Sequence, residues 1–333
     1  MPAPMTLGQA ADLIDKSIQR IYSKFTNLEE ENYTKYFHVE QTEDYYDKDS
    51  SLSGIGEAAR ITESAVIVTE TPVQGFDRTY TQVFMGKMQS FSMYDWKYGI
   101  KKRKLESVVK DLDRSCRRKR ERLTTEYLEN SIAAATSYTV TDDAGNYTKA
   151  VTGGDSLAII HASHTREDGG ATWSNVISDG TTVNMDYEYD ALKAAHRTAS
   201  LIRDPKGNLM NIDLDTCIFR KNSAIYFRAM EINGSIKKNE IPGSADNDAA
   251  GVMAFKTLGL PYLTSTNAAY WWMFDSGMMG PEYGLQYRES QGIVFDGPET
   301  EFKTGTIYYK STMAFDYGHN DGRNWAGSTG ANA

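Results

Sequence analysis

Ser64-Ala-Val-Ile-Val-Thr-Glu-Thr71, Pro72-Val-Gln-Gly75 and Phe76-Asp-Arg-Thr-Tyr-Thr-Gln-Val-Phe84 form a polar, alternating ribbon that leads into a long basic segment. Two β-branched, alternating runs around a Pro/Gly turn predict a hairpin. A two-stranded hairpin is at best marginally stable alone in water, so it needs a surface to lie on. Nothing nearby in the sequence reads as a cover. An arm ordered only against a neighbour points to a building block rather than a free catalyst.

Beyond the ribbon, Leu105, Val108, Val109, Leu112, Cys116, Leu123, Tyr127, Leu128 and Ile132 keep helical spacing, which predicts one helix from about 98 to 135. At 1.5 Å per residue it is roughly 50 Å long, the length of a strut. Its exposed side is basic, with eleven Lys or Arg from Lys101 to Arg122, whereas nine acids between Asn27 and Glu57 face only Lys35 and Lys48. The formal net charge of the 333-residue chain is -9. An acidic arm and a basic helix can attract each other between copies, or the basic face can meet nucleic acid. The bland reading is a solvated helix face. The 21 Tyr, 12 Phe and 5 Trp suit either a β-rich core or large interfaces. Cys116 and Cys217 sit in no metal or redox spacing and read as small buried apolar residues. No signal peptide or membrane-length apolar segment is expected.

Leu7, Ala10, Ala11, Ile14, Ile18, Ile21 and Phe25 predict an amphipathic helix over 6–25, followed by an extended acidic arm over 26–57. A strand-like stretch over 136–149 contains an Asp142-Asp-Ala-Gly145 turn. Helices are expected over 187–203 and 223–232, the second closed by Asn233-Gly234. Short strands are expected at 214–219, 260–263, 270–274 and 284–294, with a long alternating strand over 301–317. The segment 242–250 reads as a polar loop.

A search for chemistry returns little. His161 and His164 form the only close histidine pair, with Asp155, Glu167 and Asp168 nearby, but the metalloprotease spacing is absent. Gly54-Ile-Gly-Glu-Ala-Ala59 lacks the strand and helix that a dinucleotide fingerprint requires. No phosphate-binding loop, nucleophile elbow or redox cysteine pair is present. Catalytic, cofactor and metal residues are all expected to be none.

In order, Met88-Gln-Ser-Phe-Ser-Met-Tyr-Asp95, Tyr127-Leu-Glu-Asn-Ser-Ile132, Asp155-Ser-Leu with Ile160-His-Ala-Ser-His164, and Asp204-Pro-Lys-Gly-Asn-Leu209 with Ser223-Ala-Ile resemble the major capsid protein of tailed bacteriophages. The branch is that of the Mu-like major head proteins, and encapsulins share the fold. Tyr308-Tyr-Lys-Ser-Thr-Met-Ala-Phe-Asp-Tyr-Gly318 and Asp321-Gly-Arg-Asn-Trp325 look like that family's closing strand and tail. At 155–164 the layout is kept but not the letters, since the family there has an Asp-Gly-x-x-Leu-Phe run ending in His.

The resemblance implies an α+β fold with an N-terminal arm (1–50), an E-loop hairpin (51–92) and a peripheral domain with spine helix and antiparallel sheet (93–186). An axial domain (187–300) follows, then a strand returning to the peripheral domain with the tail (301–333). Its E-loop contacts would include Val66, Val68, Phe76, Arg78 and Tyr80. Inner-face or inter-subunit basic contacts would include Arg114, Arg117, Arg118, Lys119, Arg120 and Arg122. The implied role is a structural, non-enzymatic subunit of an icosahedral shell. Its implied partners are its own copies in hexamers and pentamers, a scaffolding protein, a portal, optionally a decoration protein, and packaged dsDNA held without base readout. No membrane and no cofactor are implied. The expected location is the virion, after assembly in the host bacterial cytoplasm. Some family members weld subunits through an E-loop lysine, but no Lys lies between Lys48 and Lys87, so no such cross-link is expected. The alternatives are an encapsulin compartment, a metal-dependent enzyme using His161 and His164, and a nucleic-acid-binding module centred on the basic helix.

Overall fold

The computed structural model describes residues 31–52, 74–92, 102–132, 136–234 and 255–330, with isolated positions between 56 and 72. The expected 6–25 helix, most of the 64–71 strand, Val66, Val68 and the 242–250 loop lie outside the described residues. In chain order the strands and helices are β1 (His38–Gln41), β2 (Tyr46–Leu52), β3 (Gln74–Thr81), β4 (Val83–Phe91), α1 (Lys102–Asn130), β5 (Ser137–Asp142) and β6 (Gly145–Ala150). Then follow α2 (Tyr189–Ser200), β7 (Thr216–Arg220), α3 (Ala224–Gly234), β8 (Lys256–Leu260), β9 (Trp271–Phe274), β10 (Leu285–Thr300), β11 (Ile307–His319) and β12 (Trp325–Ser328).

The long helix forms as its spacing predicts, over 29 residues. Leu112, Cys116, Leu123, Tyr127 and Leu128 are buried on one stripe. That stripe packs on β4, β10 and β11, within a cluster that also holds Tyr287, Phe315, Trp272, Phe274 and Trp325. The first sheet has the order β1-β10-β11-β4. In β11 the alternation from Ile307 to Met313 is half-buried, but every residue from Ala314 to His319 is buried. Both α1 and β3 pack on this strand, so its second half has no solvent face.

The second sheet has the order β12-β9-β7-β8, with β7 and β8 parallel across the α3 crossover. Ser223 caps α3 by accepting the Tyr226 N–H at 3.1 Å. α2 covers β12, and α3 covers β7 and β8. Small side chains at Ala191, Ala194, Ala195 and Ala199 let α2 seat against Trp271 and Met273 in a second core cluster. The β5–β6 hairpin turns at Asp143-Ala144, as its sequence predicts. There Asp142 Oδ1 accepts the Ala144 N–H at 2.9 Å, and Gly145 takes φ +126°.

Three expectations are corrected. The ribbon is a hairpin, but the partner of 74–81 is β2, in the register Tyr46↔Thr81 to Leu52↔Gln74; the described positions 67, 69 and 71 are not in a strand. The acidic arm is therefore partly β, because its charges sit on the open side of a ribbon, where Lys48 meets Asp77 at 2.6 Å. The strand expected at 260–263 lies at 256–260 and stops at Pro261, which has no N–H to continue a ladder. The expected boundary at 300/301 falls inside the β10–β11 hairpin, and the tail leaves the first sheet to add β12 to the second. Trp325, 1 % exposed, stacks on Phe274 with centroids 4.7 Å apart. Trp325→Ala should therefore lower stability by about 3–5 kcal/mol, read as a fall in thermal midpoint; an unchanged midpoint would mean that the tail contributes nothing to the core.

Candidate assembly surfaces

The ribbon is rooted by charge as much as by apolar burial. Tyr80 is fully buried, with the Arg78 and Arg288 guanidinium carbons 5.4 and 5.6 Å from its ring centroid. Burial pushes its phenol pKa up. Asp316 of β11 accepts the Thr81 N–H at 2.8 Å and pairs with Lys149 of β6. Arg288 pairs with Glu40 and, at 3.5 Å, with Asp47. The Phe76 carbonyl accepts Ser51 Oγ at 3.2 Å and Asn320 Nδ2 at 3.4 Å. Of the expected E-loop contacts, Tyr80 and Arg78 are thus anchors within the chain. Phe76 is half-buried over a small cavity, and Val66 and Val68 lie outside the described residues.

The basic helix is also largely answered from within. Arg120 is buried; its Nε donates to Glu31 Oε1 at 3.1 Å and its Nη1 to Glu289 Oε1 at 2.9 Å. Its guanidinium also lies 5.0 Å from the Tyr33 ring centroid. Arg117 bonds Asp113 at 2.8 Å, Lys119 faces Asp142 at 3.5 Å, and Arg122 pairs with Glu126 at 3.2 Å. Burial pushes the Glu289 and Glu121 carboxyls up, with Arg120 offsetting part of the rise. Burial, then the nearby Arg122 charge, lowers Lys119. Arg114 and Arg118 are exposed. The six expected basic residues therefore do not form one outward face: Arg120 is an internal cation, and Arg114 and Arg118 carry the exposed charge. Beside them a cleft of about 580 Å3 opens between α1, β4 and the β5–β6 turn.

His161 and His164 do not converge as ligands. The His164 Nδ1 lies 2.6 Å from Asp155 Oδ2, and its ring stacks on Trp173 with centroids 4.3 Å apart. His161 Nδ1 accepts the Ser163 N–H at 3.1 Å. Burial alone would raise Asp155, but the hydrogen bond and charge of His164 outweigh it and hold the carboxyl low. Among the described residues no group of three His, Cys, Asp or Glu side chains is arranged to hold a metal ion, and no helix is long and apolar enough to cross a membrane.

The sequence reading missed the cluster where ribbon, spine and tail meet. Arg323 donates to both Glu167 oxygens, at 3.1 and 2.8 Å, and to the Arg203 carbonyl at 2.8 Å. His319, fully enclosed, bonds the Tyr127 hydroxyl at 2.8 Å. The only signal was the Asp321-Gly-Arg-Asn-Trp325 run, in which Arg323 finds Glu167 and Arg203 156 and 120 residues away.

No family model and no curated protein matches the sequence. The structure is similar to the capsid structure of the Cyanophage P-SCSP1u, with 9% identity over 89% of this chain and 86% of that chain and a TM-score of 0.51. The capsid of Myoviridae Phage XM1 aligns over 86% of each chain at 11% identity and TM-score 0.46. The capsid of an empty GTA particle aligns over 90% of this chain and 96% of that chain, at 11% identity and TM-score 0.45. The chain has the α+β fold of tailed-phage major capsid proteins.

Arg120→Ala would leave Glu289 buried without its cation and Glu31 with only Arg117 at 3.7 Å, and should lower stability by about 3–5 kcal/mol. Adding Glu289→Gln to that variant should recover part of the loss in chemical denaturation; no recovery would mean that the pair is not coupled. Burial, then the Arg78 charge, drives the His319 pKa down to about 3. The unfolded chain takes up this proton near pH ~6.5 and the folded chain does not, so the neutral ring's contribution is full above that pH and is lost as pH falls towards the folded value. His319→Gln should give a shallower fall of melting temperature than wild type between about pH 6.5 and 4. Equal slopes would exclude His319 as a source of acid sensitivity.

Proposed function

We propose that the chain is a major capsid protein of a tailed bacteriophage, in the Mu-like branch, assembling as hexamers and pentamers into the shell around a dsDNA genome. The observation that carries this reading is the β2–β3 ribbon, a two-stranded sheet separate from both four-stranded sheets, on a capsid-type fold. Its two strands pair outside both larger sheets, and contact between subunits is what steadies a two-stranded arm of this kind. In this reading α1 braces the shell, and the first sheet with α1 makes the peripheral unit. The second sheet with α2 and α3 makes the axial unit, and β12 ties the two together. The described part of the expected arm gives β1 to the peripheral unit and β2 to the ribbon. A scaffolding protein, a portal and optionally a decoration protein complete the set of partners. Assembly takes place in the host cytoplasm, and the product is the virion. Arg114 and Arg118 are the candidates for non-specific contact with packaged DNA, a contact that weakens with salt.

Negative-stain microscopy of the purified protein tests this reading. Uniform closed shells or tubes are expected, with one band near 37.2 kDa on a denaturing gel and no covalent ladder. A chain that stays monomeric at every concentration and ionic strength would overturn the reading. Shells that enclose a cargo enzyme and exclude nucleic acid would favour the encapsulin alternative.

A further inference from the structure

Two unlike surfaces of the chain complement each other in charge. The first is Glu43-Asp44-Tyr45-Tyr46, the turn after β1 and the first residue of β2. Tyr45 and Tyr46 are 51% and 64% exposed, and their rings meet edge to face at 4.6 Å. Glu43 and Asp44 are exposed beside them, and among the described residues neither carboxylate takes part in an ion pair. The backbone of the turn is nonetheless fixed. Thr42 N–H donates to the Glu289 carbonyl at 3.0 Å, the Tyr45 carbonyl accepts the Gln82 N–H at 3.1 Å, and Thr42 Oγ1 accepts the Asp44 N–H at 3.2 Å. It is a rigid, acidic and aromatic knob held in place before it meets anything.

The second surface is a groove of about 420 Å3 between the 166–180 segment and the end of α2, lined by Arg166, Arg197, Arg203, Leu201, Asp179 and Trp173 among others. Arg166 is set into it: a Cβ at Gly170 or Gly207 would come within 2.6 or 2.5 Å of its guanidinium, so the two glycines form its slot. Arg166 pairs with Asp168. Arg197 and Arg203 are exposed and bond neutral carbonyls, Asp179 O at 3.0 Å and Gly207 O at 2.7 Å. The Asp179 carboxylate beside Arg197 already accepts the N–H groups of Thr181 and Thr182, both at 2.7 Å. Leu201, 65% exposed, lies between the two arginines in sequence.

We propose that the Glu43–Tyr46 knob of one copy docks in the Arg197/Arg203 groove of a second copy, its carboxylates on the two guanidinium groups and its tyrosines over Leu201. Arginine favours carboxylate partners and stacks on aromatic rings, so one pair of residues meets both features of the knob. Knob and groove are different surfaces, so the contact is heterologous: each copy offers its knob to the next and receives another in its groove. Such a contact closes a ring when the rotation per copy divides a full turn. The inference rests on the shell reading and assigns part of the contact within a capsomer.

A charge swap tests it. Glu43→Arg with Asp44→Arg, and separately Arg197→Glu with Arg203→Glu, each place like charges together, and each should raise the concentration needed for assembly by about a hundredfold. The four changes combined should restore assembly to within about threefold of wild type, with circular dichroism reporting the fold throughout. If a reversed pair does not fold, Glu43→Gln with Asp44→Asn and Arg197→Gln with Arg203→Gln replace it; each should weaken assembly and flatten its dependence on salt. Normal assembly by either pair, or a combined variant no better than its parents, overturns the contact while leaving the shell reading intact. Arginine variants that assemble normally but lose bound nucleic acid also overturn it, and assign the groove to nucleic acid. A wild-type chain that stays monomeric removes both readings together.

Discussion

Asp316 is the point on which the assembled parts converge. It sits in the enclosed half of β11, 5% exposed, where an unanswered carboxylate would be severely destabilising. It is answered from three directions: Lys149 from the β5–β6 hairpin, the Thr81 N–H from the end of β3, and the N–H of its own neighbour Tyr317 at 2.9 Å. Burial pulls the Lys149 pKa down while Asp316 pushes back, so each ion makes the other tolerable. The consequence is positional. A buried pair of this kind adds little net stability over an apolar pair of equal size, but leaving it half-made is costly. The chain is therefore held to the arrangement in which ribbon, hairpin and sheet all meet at β11. The ribbon's largest buried side chain is Tyr80, and its course is set by contacts to Asp316 at one end of β3 and Asn320 towards the other.

The local features were legible in the sequence and the non-local ones were not. The stripe from Leu112 to Leu128 fixes a helix and its buried face, the Asp142–Gly145 run fixes a turn, and Ser223 marks a helix start; each needs only neighbours a few residues away. The partner of β3 could not be read the same way. The run at 64–71 and the run at 46–52 both alternate, and the charges of the second made it resemble a solvated arm. What selects 46–52 is Tyr80 buried below the ribbon and Arg288 reaching Glu40 and Asp47, all contacts across more than thirty residues. The same holds for β12, whose four residues look like the end of a tail until Phe274 is known to lie beneath Trp325.

The basic helix shows how charge counts can mislead. Eleven cations in twenty-two residues suit a contact between copies, a nucleic-acid surface or a solvated helix face, yet Arg117, Lys119, Arg120 and Arg122 face carboxylates drawn from residue 31, the 113–126 turns of the helix, residue 142 and residue 289. A burial stripe can be read from periodicity, but the far carboxylates that neutralise a cation cannot. The acidic N-terminal arm and the basic helix, expected to attract each other between copies, meet within the chain instead. The attraction joins Glu31 to Arg120 and Arg117 inside one copy.

That internal pairing shapes what remains for contact between copies. Charges matched within the subunit stay matched when a neighbour arrives, so they neither drive nor oppose assembly. On the shell reading proposed above, selectivity falls to charges left on the outside, among them Glu43, Asp44, Arg197 and Arg203. Exposed pairs of this kind contribute only about 0–1 kcal/mol each in water. A closed shell needs contacts of that order: strong enough when repeated around a ring to select the right neighbour, and weak enough singly that a misplaced subunit can leave. A subunit with its strong pairs buried in the fold and its weak ones at the rim separates the stability of the fold from the reversibility of assembly.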